Sequence, residues 1–377
     1  MSEIFLRAEP APQRPPPRSA RPVAALLREN LFGDWTSGAI TLGVAALLAL
    51  VLPPLWRFLV ADAVWIAPDG APCRVPGAGA CWAFVGAKMD FFLYGSYPPQ
   101  QHWRVDLAFS LAAALIIWLL WPRAKRKGLA ALSFFAALPL VGFALLSGAP
   151  ALGLPQVGTN LWGGAMVSLL VALAGMVVAL PGGVLLALGR RSDLPVVRLL
   201  CAGLIEFVRG APLIAVLFMA NAMLPLFLPP DWAPDRLLRP LFGIALFASA
   251  YMAEVARAGL NAVPRGQGEA AQALGLGRVA TLRFVILPQA LAAVIPAIVN
   301  NFVALFKDTT LVAIVGIFDF LHTVDVARLD PNWAGPTIAA TAYVFAGLFY
   351  LAFCLAMSAY ARGVERRLAT GRDGSRR

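Results

Sequence analysis

Residues 254–288 read EVARAGLNAVPRGQGEAAQALGLGRVATLRFVILP, a more polar stretch set between two long apolar runs. Its spacing predicts one short helix over 265–274, ended by Gly275, because glycine accepts the left-handed conformation that stops a helix. A second helix is predicted over 278–286 and is expected to end at Pro288, which cannot continue a helical hydrogen-bond ladder. Helices this short are marginal alone in water, so we expect the stretch to lie against another protein.

The runs on either side belong to a chain that is apolar throughout. Of its 377 residues, 60% are hydrophobic and 14% are charged, with a mean hydropathy of +0.74. A soluble domain has about 25% charged residues. A membrane-spanning helix needs about 20 apolar residues, which predicts an all-α polytopic membrane protein with about eight transmembrane helices. The predicted spans are 38–56, 105–121, 128–147, 161–188, 211–228, 240–258, 288–317 and 335–360.

The basic residues predict the orientation of these spans. The chain carries 31 Lys and Arg against 20 Asp and Glu, and most of the basic residues fall in alternate loops and in the two tails. Because positive charge is retained in the cytoplasm, both termini are predicted to be cytoplasmic. Charge spread over loops also argues against nucleic acid as a partner, which would need one basic face.

The two tails and one long loop differ in composition from the spans. Residues 1–37 are a Pro- and Arg-rich cytoplasmic tail, predicted to be disordered over its first 30 or so residues, and 366–377 are a basic cytoplasmic tail. The loop 57–104 lies on the outer side and holds Cys73 and Cys81. Their spacing can close a disulfide on this oxidising side; two unpaired small residues are the alternative.

The chain lacks the residue patterns of an enzyme. Its two histidines, His102 and His322, have no partner at metal-ligand spacing, so no metal site is predicted. None of the four lysines follows a glycine, which excludes a Walker A phosphate loop, and no GxSxG motif occurs. We therefore expect no catalytic residues and no cofactor on this chain, and ATP-driven work would need a separate subunit.

Polar side chains within the predicted spans are costly in hydrocarbon and are therefore candidates for a transport path. Lys307 and Asp308 can neutralise each other, while the hydroxyl of Thr309 can cap a discontinuous helix. A solute with two charges would need such partners; a purely structural ion pair that holds a kink is the alternative. The candidate path residues are Asn221 in the fifth span and Asn300, Asn301, Lys307, Asp308 and Thr309 in the seventh.

Two charged pairs are predicted near the cytoplasmic ends of helices. Glu206 with Arg209, and Glu254 with Arg257, are i, i+3 neighbours in the sequence. The first pair falls on a predicted surface helix over 192–208 that leads into the fifth span. We expect both pairs to position helices rather than to contact a transported solute.

The stretch 254–288 resembles the signature loop of the permease subunits of bacterial ABC importers. That pattern is EAA, three residues, Gly, nine residues and a stretch ending in Leu-Pro, with Val285 here where the family usually has isoleucine. The matching positions are Glu269, Ala270, Ala271, Gly275, Leu287 and Pro288. Flanking segments similar to the polar amino acid permeases are IEFVRGAPLIAVLF (205–218), AYMAEVARAGL (250–260), GQGEAAQALG (266–275) and FKDTTLVAIVGIFDFL (306–321).

Segments of the outer loop resemble one subgroup of this family. Its segments GAGACW (77–82) and YPPQQHWR (97–104), together with the three extra spans, look like the permease of the general L-amino acid importers of Gram-negative bacteria. The resemblance implies a type I ABC importer permease core of five spans over 161–365, with a cytoplasmic coupling loop over 259–288. It implies a three-span N-terminal extension over 38–160, whose loop is periplasmic.

The resemblance also implies partners and a direction of transport. In the bacterial inner membrane, the chain would pair with a second homologous permease and rest on an ATPase homodimer that holds ATP and magnesium. A periplasmic amino-acid-binding protein would deliver L-amino acids for movement into the cytoplasm. The face made by Ala270, Ala271, Ala273 and Leu274 would then lie against the ATPase. A secondary transporter or channel for small polar solutes is the alternative; an inverted internal repeat would favour it, and we find none.

Overall fold

The described part of the chain is a bundle of apolar helices. The structure is a computed structural model that describes residues 23–121, 123–229 and 234–374. In these ranges, seven helices are long and apolar enough to cross a membrane, and the number is eight if a pair of helices bent by 110° counts as one span. No β-strand occurs among the described residues, so the predicted all-α polytopic fold is confirmed. The predicted disordered tail and the basic C-terminal tail lie partly outside the described residues.

The helix bounds are as follows. Before residue 160 the helices are α1 Val23–Phe32, α2 Trp35–Trp56, α3 Trp82–Ala87, α4 Met89–Tyr94, α5 His102–Leu120, α6 Lys127–Leu132 and α7 Leu138–Ser147. After it they are α8 Gly164–Arg190, α9 Pro195–Gly210, α10 Leu213–Phe218, α11 Leu238–Ala262, α12 Arg265–Ala273, α13 Arg278–Thr281, α14 Leu287–Ala293, α15 Ile295–Asp308, α16 Phe320–Ala327 and α17 Ile338–Gly374. Wider π-helical turns occur at Arg57–Ala61, Ser133–Ala137, Met219–Met223 and Leu282–Ile286, and 3-10 turns include Leu224–Phe227 and Thr309–Val315.

Residues 23–32 of the predicted N-terminal tail are helical rather than disordered. Helix α1 forms over Val23–Phe32, and α2 begins at Trp35 rather than at residue 38. The reason is local, because the sequence after Pro22, VAALLRENLF, is rich in Ala, Leu, Arg and Glu, which are strong helix formers. Helix α2 has no buried side chain along its whole length.

Proline residues explain why some predicted helices are interrupted, or continue, at positions that differ from the prediction. The fifth span is not one helix over 211–228 but the short α10 followed by a π turn and a 3-10 turn, because Pro225 would clash with the carbonyl of Asn221 in a regular helix. The seventh span is split at Val294, ahead of Pro296, so α14 and α15 are separate. Pro288 does not end the second loop helix; the π turn Leu282–Ile286 widens the chain around it, and the helix continues.

The core is built around α8 and α11, which pack closely because of glycines. A Cβ atom at Gly183 would lie 2.6 Å from the Cβ of Met252, and one at Gly182 would lie 2.7 Å from the hydroxyl of Ser249. Small residues allow two backbones to approach within the membrane, where van der Waals contact is a main source of helix association. Helix α15 packs beside this pair, with Leu305 against Gly175.

The short helix α16 packs between α8 and the last span, α17. The sequence analysis did not predict it. Asp319 caps it by accepting hydrogen bonds from the backbone N–H groups of Leu321 and His322, at 3.0 and 3.1 Å. The backbone N–H of Phe320 donates to the hydroxyl of Ser168 at 2.9 Å. An acidic N-cap ahead of an apolar turn is the signal that would have revealed α16.

Asp319 is expected to make stability depend on pH. Burial raises the pKa of this carboxyl to about 6, above its usual value near 3.9. The folded state therefore holds a proton more firmly than the unfolded state, and stability is expected to fall by about 3 kcal/mol as pH rises from about 4 to 6. Asp319→Asn keeps one of the two cap hydrogen bonds and cannot titrate, so melting curves of this variant should lack that loss of stability with rising pH. An equal pH slope in both proteins would contradict the assignment.

The outer loop folds into a small unit, the outer cap (residues 57–104), that is attached to the core. Cys73 and Cys81 are joined by a disulfide within it. Arg74 donates hydrogen bonds to the carbonyls of Pro331, Asn332 and Ala334, and Lys88 forms an ion pair with Asp330. The hydrogen bond from the Lys88 ammonium lowers the pKa of Asp330, so this carboxyl group stays ionised at neutral pH. The cap thus holds the connection between α16 and α17.

Candidate coupling loop and transport path

The predicted loop helix is present as α12. It begins after Pro264 and ends with Gly275 in the left-handed conformation, at φ +83°. The N–H of Gly275 donates to the carbonyl of Gln272, and the N–H of Leu276 donates to the carbonyl of Ala271. This pair of bonds is the Schellman arrangement, which satisfies the last carbonyls of a helix. Gly275 therefore sets the point at which the chain turns back toward the next span.

Only some of the residues that were predicted to lie on the surface of this loop are exposed. Glu269 and Ala270 are exposed, but Ala271 is 4% exposed because α12 lies against the turn Leu282–Ile286. Leu287 is half-buried and Pro288 is exposed, and both residues lie where the chain leaves the loop and enters the next membrane-spanning segment. We correct the prediction that Ala271 faces another protein.

Three large apolar side chains stand out from the loop instead. Leu274, Val279 and Phe284 are 84%, 79% and 66% exposed. The sequence analysis included Leu274 but missed Val279 and Phe284, which lie in α13 and in the π turn Leu282–Ile286. Large exposed apolar side chains on a polar loop are candidates for a surface that binds another protein or the membrane. We name these three residues the loop patch.

A network of charges lies where α8, α9 and α11 meet. Glu254 accepts from Arg190 at 2.9 Å and from Arg257 at 2.7 Å, and lies 3.7 Å from Arg209. The predicted Glu254–Arg257 pair is therefore present. The predicted Glu206–Arg209 pair is not formed, because Glu206 binds Arg190 at 2.8 Å instead. Arg190 went unnoticed because it lies 16 and 64 residues from its partners in the sequence.

A cavity of about 350 Å³ lies beside this network, between α8, α10, α11 and α15. Asn301 and Asp308 line it, together with Phe247 and Tyr251. The Arg209 guanidinium lies 5.4 Å from the centre of the Tyr251 ring, so the charge network touches the wall of the cavity. The volume is within the range of sites for small molecules.

The other predicted path residues do not line this cavity. Asn300 and Lys307 are exposed, because neighbours along a helix point about 100° apart and cannot share one face. No salt bridge joins Lys307 to Asp308 among the described residues, for the same reason. Asn221 lies in the π turn Met219–Met223, where its side-chain oxygen is buried without a hydrogen-bond donor in the described part of the chain.

The two threonines after Asp308 cap the C-terminal end of α15 and do not begin a new helix. The hydroxyl of Thr309 donates to the carbonyl of Phe306 at 2.8 Å, and that of Thr310 donates to the carbonyl of Lys307 at 2.9 Å. These bonds satisfy the last carbonyls of α15 as the chain tightens into a 3-10 turn. Thr309 is buried and holds the break in place, as a cap at the C-terminal end.

Comparisons with known proteins agree with this architecture. Residues 179–370 match the family model of the binding-protein-dependent transport system inner membrane component. The chain is 44% identical to the inner membrane amino-acid ABC transporter permease protein YhdY of Escherichia coli (strain K12), over 96% of this chain and 97% of that protein. It is 38% identical to the glutamate/glutamine/aspartate/asparagine transport system permease protein BztC of Rhodobacter capsulatus, over 97% of this chain and 98% of that protein.

Among solved structures, the chain is similar to an amino acid ABC transporter crystallised with histidines. The identity is 27% and the TM-score 0.46, covering 53% of this chain and 90% of that one. The resemblance seen in the EAA loop is confirmed by the family match and by relatives that align over nearly the full length. The chain therefore belongs to the family of binding-protein-dependent transport system inner membrane components.

Proposed function

We propose that this chain is the subunit of an ATP-driven importer through which L-amino acids cross from the periplasm to the cytoplasm. The observation that carries the proposal is the continuity of α11. This helix lines the cavity at Tyr251, holds the charge network at Glu254, and leads into α12, the first helix of the loop that carries the exposed loop patch. The relatives named above are amino-acid permeases, which supports the substrate class.

Membership of the family identifies the kind of complex in which this chain works. The chain is a multi-pass inner membrane protein, it is not itself an enzyme, and it works with an ATPase and a binding protein. We propose in addition a second homologous permease as its pair and an ATPase homodimer that holds ATP and magnesium. In this arrangement both termini face the cytoplasm, and the chain binds no cofactor and no nucleic acid.

The loop around Glu269 would transmit motion as a coupling loop. The loop patch is apolar and exposed, so burying it in a groove of the ATPase would contribute favourable free energy. Because α12 rests on Leu282–Ile286 and α11 leads into it, a movement of α12 would carry the helices around the cavity with it. Rigid-body shifts of this kind open and close sites between helices.

The cavity offers partners for an amino acid zwitterion. The carboxylate of Asp308 can accept hydrogen bonds from the α-ammonium group, and the amide of Asn301 can donate to the α-carboxylate. The low dielectric around the cavity strengthens both interactions relative to water. Lys307, which is exposed and turned away, supplies a control at the neighbouring position.

Uptake into proteoliposomes tests the proposal. The complex purified from its native membrane should import a radiolabelled L-amino acid only with ATP and the binding protein present. Asp308→Asn is expected to lower uptake at least tenfold, since one hydrogen-bonded charge contributes about 1.5 to 3 kcal/mol, while Lys307→Met should stay near wild type. Uptake driven by an ion gradient without ATP would instead favour the secondary transporter, and unchanged uptake in Asp308→Asn would remove the cavity from the path.

A further inference from the structure

An apolar groove separates the N-terminal extension from the core. It is a cavity of about 270 Å³ between α5 and α7 on one side and α8 and α11 on the other. Among its lining residues are Ala112, Phe143, Ala174 and Leu241. All four helices are membrane-spanning segments, so the groove lies at the depth of the bilayer.

One end of the groove is polar. Thr159 and Trp162 border the groove and also border a second cavity of about 240 Å³, which is lined by Asp235 and Arg236. The hydroxyl of Thr159 donates to the carboxylate of Asp235 at 2.7 Å. Arg236 is exposed, and one of its terminal nitrogens donates to the carbonyl of Gly316 at 2.9 Å. The two cavities together form an apolar slot beneath a rim that presents a guanidinium group.

The size and depth of the slot restrict what can occupy it. Water does not fill an apolar cavity, because it finds no hydrogen-bond partners there. An acyl chain is slender, apolar and present at this depth on all sides. The exposed guanidinium of Arg236 matches a phosphate group in charge and hydrogen-bond geometry.

We propose that this slot holds a phospholipid from the leaflet on the side of the outer cap. One acyl chain lies in the groove between the extension and the core, and the phosphate lies against Arg236. The lipid then completes the contact between two parts of the chain that otherwise leave a gap within the membrane. The proposal concerns the fold of this chain and does not depend on which solute is transported.

Glycine and alanine positions in the groove allow the slot to be filled. A Cβ atom at Gly142 meets nothing within 4 Å, so Gly142→Phe can place its ring in the groove without displacing a neighbour. Ala174→Phe fills the same space from α8. Gly43 on α2 is also free of neighbours, and Gly43→Phe is a matched control away from the groove.

Native mass spectrometry of the detergent-purified complex tests the proposal. We expect wild type and Gly43→Phe to retain a phospholipid, and Gly142→Phe and Ala174→Phe to retain at most one tenth as much. Arg236→Ala should lower retention about tenfold by removing the phosphate contact. Equal retention in the filled variants, or retention unaffected by Arg236→Ala, would overturn the proposal.

A second measurement covers variants that fold poorly. Vesicles of phosphatidylglycerol added to the delipidated complex should raise the melting temperature of wild type and of Gly43→Phe, but not that of the filled variants. Inorganic phosphate should have no such effect, because it lacks the acyl chain. A rise of equal size in the filled variants, or a rise with phosphate alone, would contradict a lipid in this slot.

Discussion

Leu274→Asp is expected to detach the ATPase from the purified complex and to stop ATP-driven uptake. Leu274 is 84% exposed at the end of α12 and belongs to the loop patch. Burying a leucine side chain contributes about 1.5 to 3 kcal/mol, and a carboxylate in an apolar contact adds a desolvation cost on top of that loss. A change of about 3 kcal/mol or more corresponds to at least a hundredfold weaker association.

The measurement is the amount of ATPase that co-purifies with the tagged chain. Leu152→Asp is the matched control, because Leu152 is 75% exposed but lies in the loop after α7, on the opposite side of the membrane from α12. The control should retain the ATPase at the wild-type level. If Leu274→Asp also retained it, the loop patch would not be the contact surface.

Glu254→Leu is expected to destabilise the protein by about 3 kcal/mol. The substitution removes the one carboxylate that contacts Arg190, Arg209 and Arg257, and so leaves these cations close together without their shared counter-ion. Breaking a buried ion pair by removing one partner costs about 3 to 5 kcal/mol, and Glu254 is only 18% exposed. The lower end of that range applies because the arginines are partly exposed to water.

Glu206→Leu provides the comparison for this prediction. Glu206 binds the same arginine, Arg190, but its side chain is 65% exposed, so its ion pair is screened by water and contributes about 1 kcal/mol or less. Thermal unfolding in detergent should show a drop for Glu254→Leu several times larger than for Glu206→Leu. Similar drops in the two variants would mean that burial does not set the strength of this network.

Hydropathy was sufficient to find most of the spans because the bilayer requires long apolar helices. It failed at the fifth and seventh spans, where Pro225 and Pro296 interrupt the helical ladder although the segments remain apolar on average. The charge network could not be found by local spacing either. Arg190 reaches Glu254 because α8 and α11 pack side by side, although the two residues are 64 positions apart in the sequence.

The candidate transport path also depends on a feature that the sequence alone does not reveal, namely which side of a helix each residue occupies. Asn300 and Asn301 are equivalent in composition, yet only Asn301 lines the cavity. Which of two neighbours faces inward depends on the rotation of α15, and that rotation is set after the break at Val294. The sequence therefore predicts that polar groups occur in this span but not which of them meet.

The π turn at Leu282–Ile286 has a consequence for how this protein tolerates changes in length. A π turn contains one residue more than the α-helical turn it replaces, so deleting a single residue there would restore a regular helix. Because a π turn fits that extra residue into nearly the same rotation as an α-helical turn, such a deletion would leave the helices downstream facing nearly the same way. Pro288 opposes that shorter form. Apart from that local cost at Pro288, deleting one residue in this segment should disturb the fold less than deleting one within the regular helix α8, which would rotate everything downstream by about 100°.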